Sequence, residues 1–375
     1  FVDFGLSHQS AIYDVRFQND AASYLIVNST HGGLQWDGPS LTGHQIVSSE
    51  IGGNQTNIYL SMQTENLPET VYVLDDGELL EKSETEGEDA CLVLKYPKGT
   101  HNLKVRYGIS LIDTAQARQN MEREVAGRSI PQLHKEGRKI WNEALGNIDV
   151  KGGSEDDKTV FYTSLYRTYE RPVNISEDGR YYSAFDGKVH DDNGTPFYTD
   201  DWIWDTYRAT HPLRVIIEPE LETDIINSFL RMAEQMDNFW MPTFPEITGD
   251  SRRMNSNHGV ATIIDSYRKG LDGFDLERAY EASRRAITEK TLAPWSGAPA
   301  GELDEFYKEH GYIPALRPDE EEYIPEVQEH EKRQPVPVTL GTAYDEWCLA
   351  QIAKELGKEE DYERFLSDAY NYRNL

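Results

Sequence analysis

Residues 103–125, LKVRYGISLIDTAQARQNMEREV, contain the change of pattern that decides the fold. Up to Ile109, apolar and polar side chains alternate, which is typical of a half-buried β-strand. After Asp113, which is suited to cap a helix, apolar residues recur at helical spacing through Met121 and Val125. The chain is therefore expected to change from strands to helices near residue 113.

The sequence before this point consists of short alternating runs separated by turn signals. The runs include residues 12–17, 23–27 and 56–62, and the turn signals include residues 31–33, 75–77 and 97–99. Several short strands at this spacing predict an antiparallel β-sandwich over residues 1–112, incomplete at its N-terminal side.

The sequence after this point is periodic in the way of helices. Linker helices are predicted over residues 113–148, and further helices over 158–171, 220–234, 260–269, 276–288, 344–356 and 361–372. Long loops rich in Gly, Pro and aromatic residues join them. This organisation predicts an (α/α)6 barrel, of which residues 149–375 form the first part, with the remaining helices expected beyond Leu375.

Composition excludes several classes of partner. The chain has 37 Lys plus Arg against 66 Asp plus Glu, a net charge of −29. Such an acidic chain repels phosphate backbones and anionic lipid, so we expect neither nucleic acid nor a membrane as partner. Aromatic residues make up 11% of the chain, which argues against disorder. Cys91 and Cys348 lack a metal-binding spacing and are expected to be buried apolar residues.

Residues 198–208, YTDDWIWDTYR, form the densest unusual cluster, with two Trp, three Asp, two Tyr and one Arg. Aromatic rings suit the apolar faces of sugars, and carboxylate and guanidinium groups suit their hydroxyls. Trp204, Asp205 and Arg208 are therefore candidate sugar ligands. The alternative is a helix start with Asp as its cap and Trp in the core.

Two further clusters precede or begin predicted helices. Residues 249–258, GDSRRMNSNH, place polar donors at a helix N-terminus, which suits anions or hydroxyls, although a capping loop with solvated arginines explains them equally well. Residues 338–347, VTLGTAYDEW, contain the carboxylate pair Asp345 and Glu346. This pair is either catalytic or a first-turn charge favoured by the helix dipole.

The chain resembles glycoside hydrolase family 92 in residues 105–117, Asn120, Glu124, Trp141, FYTSLYRT at 161–168, WDTYRATHPL at 204–213, GYIP at 311–314 and TLGTAYDEW at 339–347. The resemblance follows the same order through nearly the whole chain and is strongest from about residue 105. It implies a calcium-dependent, inverting exo-α-mannosidase with a β-sandwich, linker helices and an (α/α)6 barrel. The general base and the calcium ligands are expected beyond Leu375. A secreted, periplasmic or cell-surface location in a bacterium is expected.

One position departs from the family pattern. Family members typically read TLEYAYDDW with the Glu as general acid, whereas residues 339–347 read TLGTAYDEW, so Gly341 stands in place of the acid. A sugar alkoxide needs a proton to leave, but a phosphate leaves as a stable anion. The resemblance includes members that cleave mannose-α-1-phosphate-6-mannose and lack this Glu. The sequence therefore predicts a mannosyl phosphodiester, on mannan or N-glycans, as substrate.

In this interpretation Trp204, Asp205 and Arg208 hold the terminal mannose, and Asn257 and His258 line the same subsite. The candidate phosphate ligands are Arg252, Arg253, Lys332 and Arg333. Two alternatives remain open: a conventional α-1,2-mannosidase, and a non-catalytic mannan-binding relative that has lost acid and base.

Overall fold

The computed structural model describes residues 1–18, 20–49, 54–254 and 256–375. It divides into two compact units, one formed mainly by residues 1–153 and the other mainly by residues 154–375. None of the helices in these ranges is both long and apolar enough to cross a bilayer. The predicted boundaries at residues 112 and 148 stay a prediction.

In the described residues, nine strands form one antiparallel sheet in the first unit. They are β1 (Val2–Leu6), β2 (Ser10–Arg16), β3 (Ser23–Trp36), β4 (Ser40–Ser48), β5 (Gln55–Thr64), β6 (Thr70–Asp75), β7 (Glu78–Leu80), β8 (Glu84–Tyr96) and β9 (Asn102–Ser110). Their order in the sheet is β1-β2-β9-β5-β4-β3-β8-β6-β7.

The sheet folds over on itself around one hydrophobic core. Residues 97–101 join β8 to β9, although three strands lie between these two in the sheet order. Leu92 and Leu94 of β8 nevertheless share one core cluster with Leu103 and Val105 of β9. The predicted antiparallel β domain is confirmed, with its two layers formed by one continuous sheet.

The expected turn at residues 31–33 is wrong, because these residues lie inside β3. His31 has a φ of 50°, and the pairing with β8 resumes at Gly32 opposite Gly87. A Cβ at Gly32 would lie 2.0 Å from the carbonyl oxygen of His44. The glycine signal therefore marks a close approach of strands within the sheet, which resembles a turn signal in sequence.

Two helices complete the first unit, α1 (Thr114–Val125) and α2 (Ile130–Leu145). Asp113 caps α1 as expected, since its carboxylate accepts the Gln116 N–H at 2.7 Å. α1 packs on β9 above Gly108, where a Cβ would lie 2.3 Å from the carbonyl oxygen of Ala117. This face of the sheet is the one opposite the core.

The second unit is helical. Its helices are α3 (Glu155–Arg167), α4 (Ile203–Thr206), α5 (Thr210–Ile217), α6 (Pro219–Gln235), α7 (Gly259–Arg268), α8 (Leu276–Glu289), α9 (Glu302–His310), α10 (Pro335–Glu355) and α11 (Glu359–Asp368), followed by a 3-10 helix at Asn371–Asn374. Short strands occur at β10 (Val173–Asn174), β11 (Arg180–Ser183), β12 (Lys188–Asp191), β13 (Tyr198–Thr199), β14 (Pro245–Glu246) and β15 (Gly249–Asp250). Of these residues, Arg180–Tyr182 are counted with the first unit. The prediction of a β domain followed by a helical domain is confirmed.

The central helix α10 begins at Pro335, well before the predicted start at residue 344. In sequence, Pro335 and Pro337 look like loop residues. The N–H groups of the first turn of a helix have no acceptor within the helix, however, so the N–H that proline lacks is not needed there. Gly341 therefore lies within α10, which packs against α7, α8 and α11. The sequence does not predict α5 and α9, because helices of eight and nine residues are too short to show a helical period clearly.

Candidate functional site

Asp345 on α10 organises the loop that precedes α7. Its carboxylate accepts the backbone N–H of Asn257 at 2.8 Å and lies 2.6 Å from Nδ1 of His258. The Asp345 side chain is 1% exposed, and Asn257 and His258 are buried. The cluster at residues 249–258 is thus held at its end by a carboxylate of the cluster at residues 338–347.

Tyr207 brings the first cluster to the same place. Its ring centroid lies 4.0 Å from that of His258 and 6.0 Å from that of Tyr344. Gly341 precedes Asp345 by one helical turn on α10 and therefore lies on the same side of the helix. The three clusters of the sequence analysis meet around Tyr207, His258 and Asp345.

Trp204, Asp205 and Arg208 lie at or just after α4 and are exposed. Arg208 Nε donates a hydrogen bond to the Tyr207 hydroxyl at 3.2 Å, which links Arg208 to the site. Among the described residues, no hydrogen bond or ring contact joins the side chains of Trp204 or Asp205 to His258. Their role in holding sugar stays a prediction.

A buried ionic triad lies beneath this segment, and the sequence analysis missed it. His211 of α5 is 1% exposed; its Nδ1 lies 2.9 Å from Glu222 of α6, and its Nε2 lies 3.0 Å from Asp201. Burial alone would lower the pKa of His211, but the charges of Glu222 and Asp201 outweigh it and raise the pKa to about 9. Asp201 also accepts the Thr206 hydroxyl at 2.8 Å. The triad therefore fixes both ends of the segment that carries Tyr207.

Arg252 lies beside the site, at a left-handed φ of 50°. Its Nε is 3.5 Å from the carboxylate of Asp250, which also accepts the N–H of Phe244 at 2.8 Å, and its guanidinium lies over the Trp240 ring. A Cβ at Gly297 would lie 1.6 Å from Nη1 of Arg252, so this position must be glycine for the guanidinium to stay there.

The other candidate phosphate ligands are differently placed. Arg253 Nε lies 3.0 Å from Glu246. Arg333 is buried and donates from Nε and Nη2 to Glu322 at 2.7 and 2.8 Å. Lys332 is exposed at the surface. A phosphate would have to displace a carboxylate partner at Arg253 or Arg333, and the phosphate role of all three residues stays a prediction.

Lys290 adds a cation that the sequence analysis did not single out. It is 5% exposed, and its ammonium donates to the Thr243 hydroxyl. Burial lowers the pKa of Lys290 to about 8, against the attraction of Asp250. Lys290 and Arg252 together concentrate positive charge near Asp250, on the side of the site where a phosphate is expected.

The resemblance implies a requirement for calcium. Calcium takes six to eight oxygen ligands, usually including several carboxylates. No group of three or more His, Cys, Asp or Glu side chains in the described ranges is arranged to hold a metal ion. The dependence on Ca²⁺ that the resemblance implies stays a prediction.

Asp345→Asn is expected to destabilise the helical unit by about 1.5–3 kcal/mol, the usual contribution of hydrogen bonds to a charged group. The amide has one acceptor oxygen where the carboxylate has two, so either the Asn257 N–H or a protonated Nδ1 of His258 loses its acceptor. Urea unfolding measures the difference. Asp265→Asn is the control, because Asp265 pairs with Lys269 in a half-exposed position. Equal losses in the two variants would contradict the central role of Asp345.

Comparisons with known proteins give a family match and several solved relatives. Residues 116–375 match the glycosyl hydrolase family 92 catalytic domain. A solved family GH92 inverting mannosidase of Bacteroides thetaiotaomicron VPI-5482 is 27% identical, with a TM-score of 0.85 over 99% of this chain and 49% of its own. A family GH92 α-mannosidase of Bacteroides thetaiotaomicron shares the fold at 24% identity and a TM-score of 0.84, again over 99% of this chain and 49% of its own.

A protein of Arthroderma benhamiae described as an uncharacterized secreted glycosidase is 23% identical over 285 residues, which are 74% of this chain and 31% of that protein. The chain thus spans about half the length of the solved relatives and about a third of this one. The family match covers most of the chain and includes all three clusters of the site. The resemblance seen in the sequence is confirmed: the chain belongs to glycosyl hydrolase family 92.

Proposed function

We propose that the protein is an inverting exo-α-mannosidase that cleaves a mannosyl phosphodiester, mannose-α-1-phosphate-6-mannose, on mannan or N-glycans. The observation that carries this proposal is Gly341, which lies on the side of α10 that bears Asp345 and which, by the resemblance, takes the place of the family's general acid. Because the chain spans about half of its solved relatives, the activity is proposed for the whole protein.

The chemistry follows from the leaving group. In an inverting reaction water attacks C1 of mannose as the C1–O bond breaks, and a base takes the proton of the water. An ordinary glycoside requires an acid to protonate the departing oxygen, which contributes roughly 10²–10⁴-fold to the rate. A phosphodiester releases a phosphate monoester anion that needs no such proton. A glycine at position 341 is therefore compatible with this substrate.

The aromatic residues around His258 supply a surface for the sugar. Rings stack on the apolar face of a hexose, while polar groups at the rim bond its hydroxyls. Tyr207 and Tyr344 provide rings at the site, and Arg208 provides donors at its rim. We assign Trp204, Asp205 and Arg208 to the terminal mannose, with Asn257 and His258 lining the same subsite and Asp345 holding these two in place.

Arg252 is the strongest candidate for the phosphate. It lies near the site, and its contact with Asp250 is long, at 3.5 Å. Buried Lys290 adds a positive charge behind it. Arg253, Lys332 and Arg333 stay weaker candidates, since two of them are paired with glutamates and the third is exposed.

We further propose that the whole protein requires Ca²⁺, as the resemblance implies. The described residues supply no ligand group, so no step of the reaction is assigned to the ion here. The proposed location is secreted, periplasmic or at a bacterial cell surface. The description of the Arthroderma benhamiae relative as a secreted glycosidase supports export.

The test compares mannose release by the full-length protein, with calcium present, from mannose-α-1-phosphate-6-mannose and from α-1,2-mannobiose. We expect faster release from the phosphodiester. Faster cleavage of the mannobiose would identify a conventional α-1,2-mannosidase. Binding of mannose in calorimetry without turnover of either substrate would identify a non-catalytic relative.

A further inference from the structure

A row of side chains crosses four strands of the β unit on one face. His44 of β4 pairs with Tyr59 of β5 on one side and with Gly33 of β3 on the other, and Gly33 pairs with Glu86 of β8. Directly opposite residues in neighbouring strands point to the same face of a sheet. A parallel row is formed by the neighbouring cross-strand partners Thr42, Gln35 and Glu84.

These two rows line an open groove of about 570 Å³ that ends at Thr114, the first residue of α1. Gly33 forms its floor. A Cβ at Gly33 would lie 3.1 Å from Cε1 of His44 and 3.6 Å from Cγ of Glu86. Any larger residue would therefore occupy the space between the His44 ring and the Glu86 side chain, and glycine keeps the groove open.

The walls of the groove differ in chemistry. The rings of His44 and Tyr59 form one wall, with centroids 6.5 Å apart, and the carboxylates of Glu84 and Glu86 lie on the other. Within the described ranges, the side chains of Gln35, Thr42 and Glu86 make no hydrogen bond to another residue. An aromatic wall facing free amide, hydroxyl and carboxylate groups matches the apolar faces and hydroxyls of a sugar.

Other ligands fit this groove less well. Glu84 and Glu86 repel phosphate groups, and no metal-binding group of three His, Cys, Asp or Glu side chains occurs in the described residues. β3 and β4 are paired on both sides, so a peptide cannot extend the sheet there. We propose that this groove is a second glycan-binding site that holds a neutral oligosaccharide. The choice of a mannose-containing oligosaccharide rests on the function proposed above.

Calorimetry with a linear manno-oligosaccharide tests the site on the intact chain. Tyr59→Ala and Glu86→Gln are each expected to weaken binding about tenfold, since they remove a stacking ring and a charged acceptor. Gly33→Leu is expected to abolish binding at the groove by filling the floor, while any binding of mannose at the site in the helical unit remains. Tyr24→Ala is the matched control, because Tyr24 is an exposed tyrosine of the same sheet outside the groove. Circular dichroism checks that each variant is folded.

Asp345→Asn, which disturbs the proposed mannosidase site in the helical unit, is expected to leave groove binding unchanged. Unchanged affinity in folded Tyr59→Ala, Glu86→Gln and Gly33→Leu would overturn the proposal. So would absence of oligosaccharide binding by the parent chain. Binding of an oligolysine peptide in place of the oligosaccharide, lost in Glu86→Gln, would identify an acidic peptide site and also overturn it.

Discussion

In the full-length protein, Gly341→Glu is expected to move two activities in opposite directions. Hydrolysis of an ordinary α-mannoside should rise by about 10²-fold, the lower end of the usual effect of a general acid. Cleavage of the mannosyl phosphodiester should fall, because a carboxylate beside a phosphate is a like-charge contact in a site sheltered from water. Initial rates of mannose release from both substrates, with calcium present, measure the effect.

Gly341→Gln separates chemistry from size in this experiment. Glutamine fills nearly the same space as glutamate but neither donates an acidic proton nor carries a charge. It should therefore leave the α-mannoside rate low and reduce phosphodiester cleavage less than Gly341→Glu does. If both activities fall equally in the two variants, the effect is steric. If neither activity changes, position 341 does not face the scissile bond and the argument for the phosphodiester fails.

The second large effect is on stability. His211→Leu leaves Asp201 and Glu222, both 0% exposed, without their shared cation. Breaking a buried ion pair in this way costs about 3–5 kcal/mol. Urea unfolding followed by tryptophan fluorescence should show this loss. His190→Leu is the control: His190 also lies 3.0 Å from a carboxylate, that of Asp186, but is 30% exposed, and partly exposed pairs contribute less than about 1 kcal/mol.

The pH dependence gives the triad a signature of its own. The pKa of His211 is raised from 6.5 to about 9 in the folded protein, so the folded state holds this proton more tightly than the unfolded chain. The stabilisation is complete below the unfolded pKa of 6.5 and is lost as the pH rises through 9. The parent should lose stability over this interval, while His211→Leu should lack that part of the decline. Parallel curves for both proteins would rule out a charged His211.

Local sequence was sufficient for the elements whose signals are local. The change from period two to helical spacing near residue 113 and the Asp113 cap depend on neighbouring residues only, and both are found in the structure. The same local signals failed at Gly32, where glycine permits close strand approach, and at Pro335, where proline begins a helix. In both cases the residue type has two structural uses that adjacent sequence does not distinguish.

The sequence by itself determined the order of β and helical units and the family, and it places a glycine at position 341. Only the tertiary structure decided which side chains meet. Asp345 contacts His258, which lies 87 residues away in sequence. Two carboxylates on other segments stabilise the charged form of His211. Arg333 pairs with Glu322 and is thereby occupied. Contacts of this kind depend on burial and on the packing of segments that are distant in sequence. Local patterns of residues do not predict them.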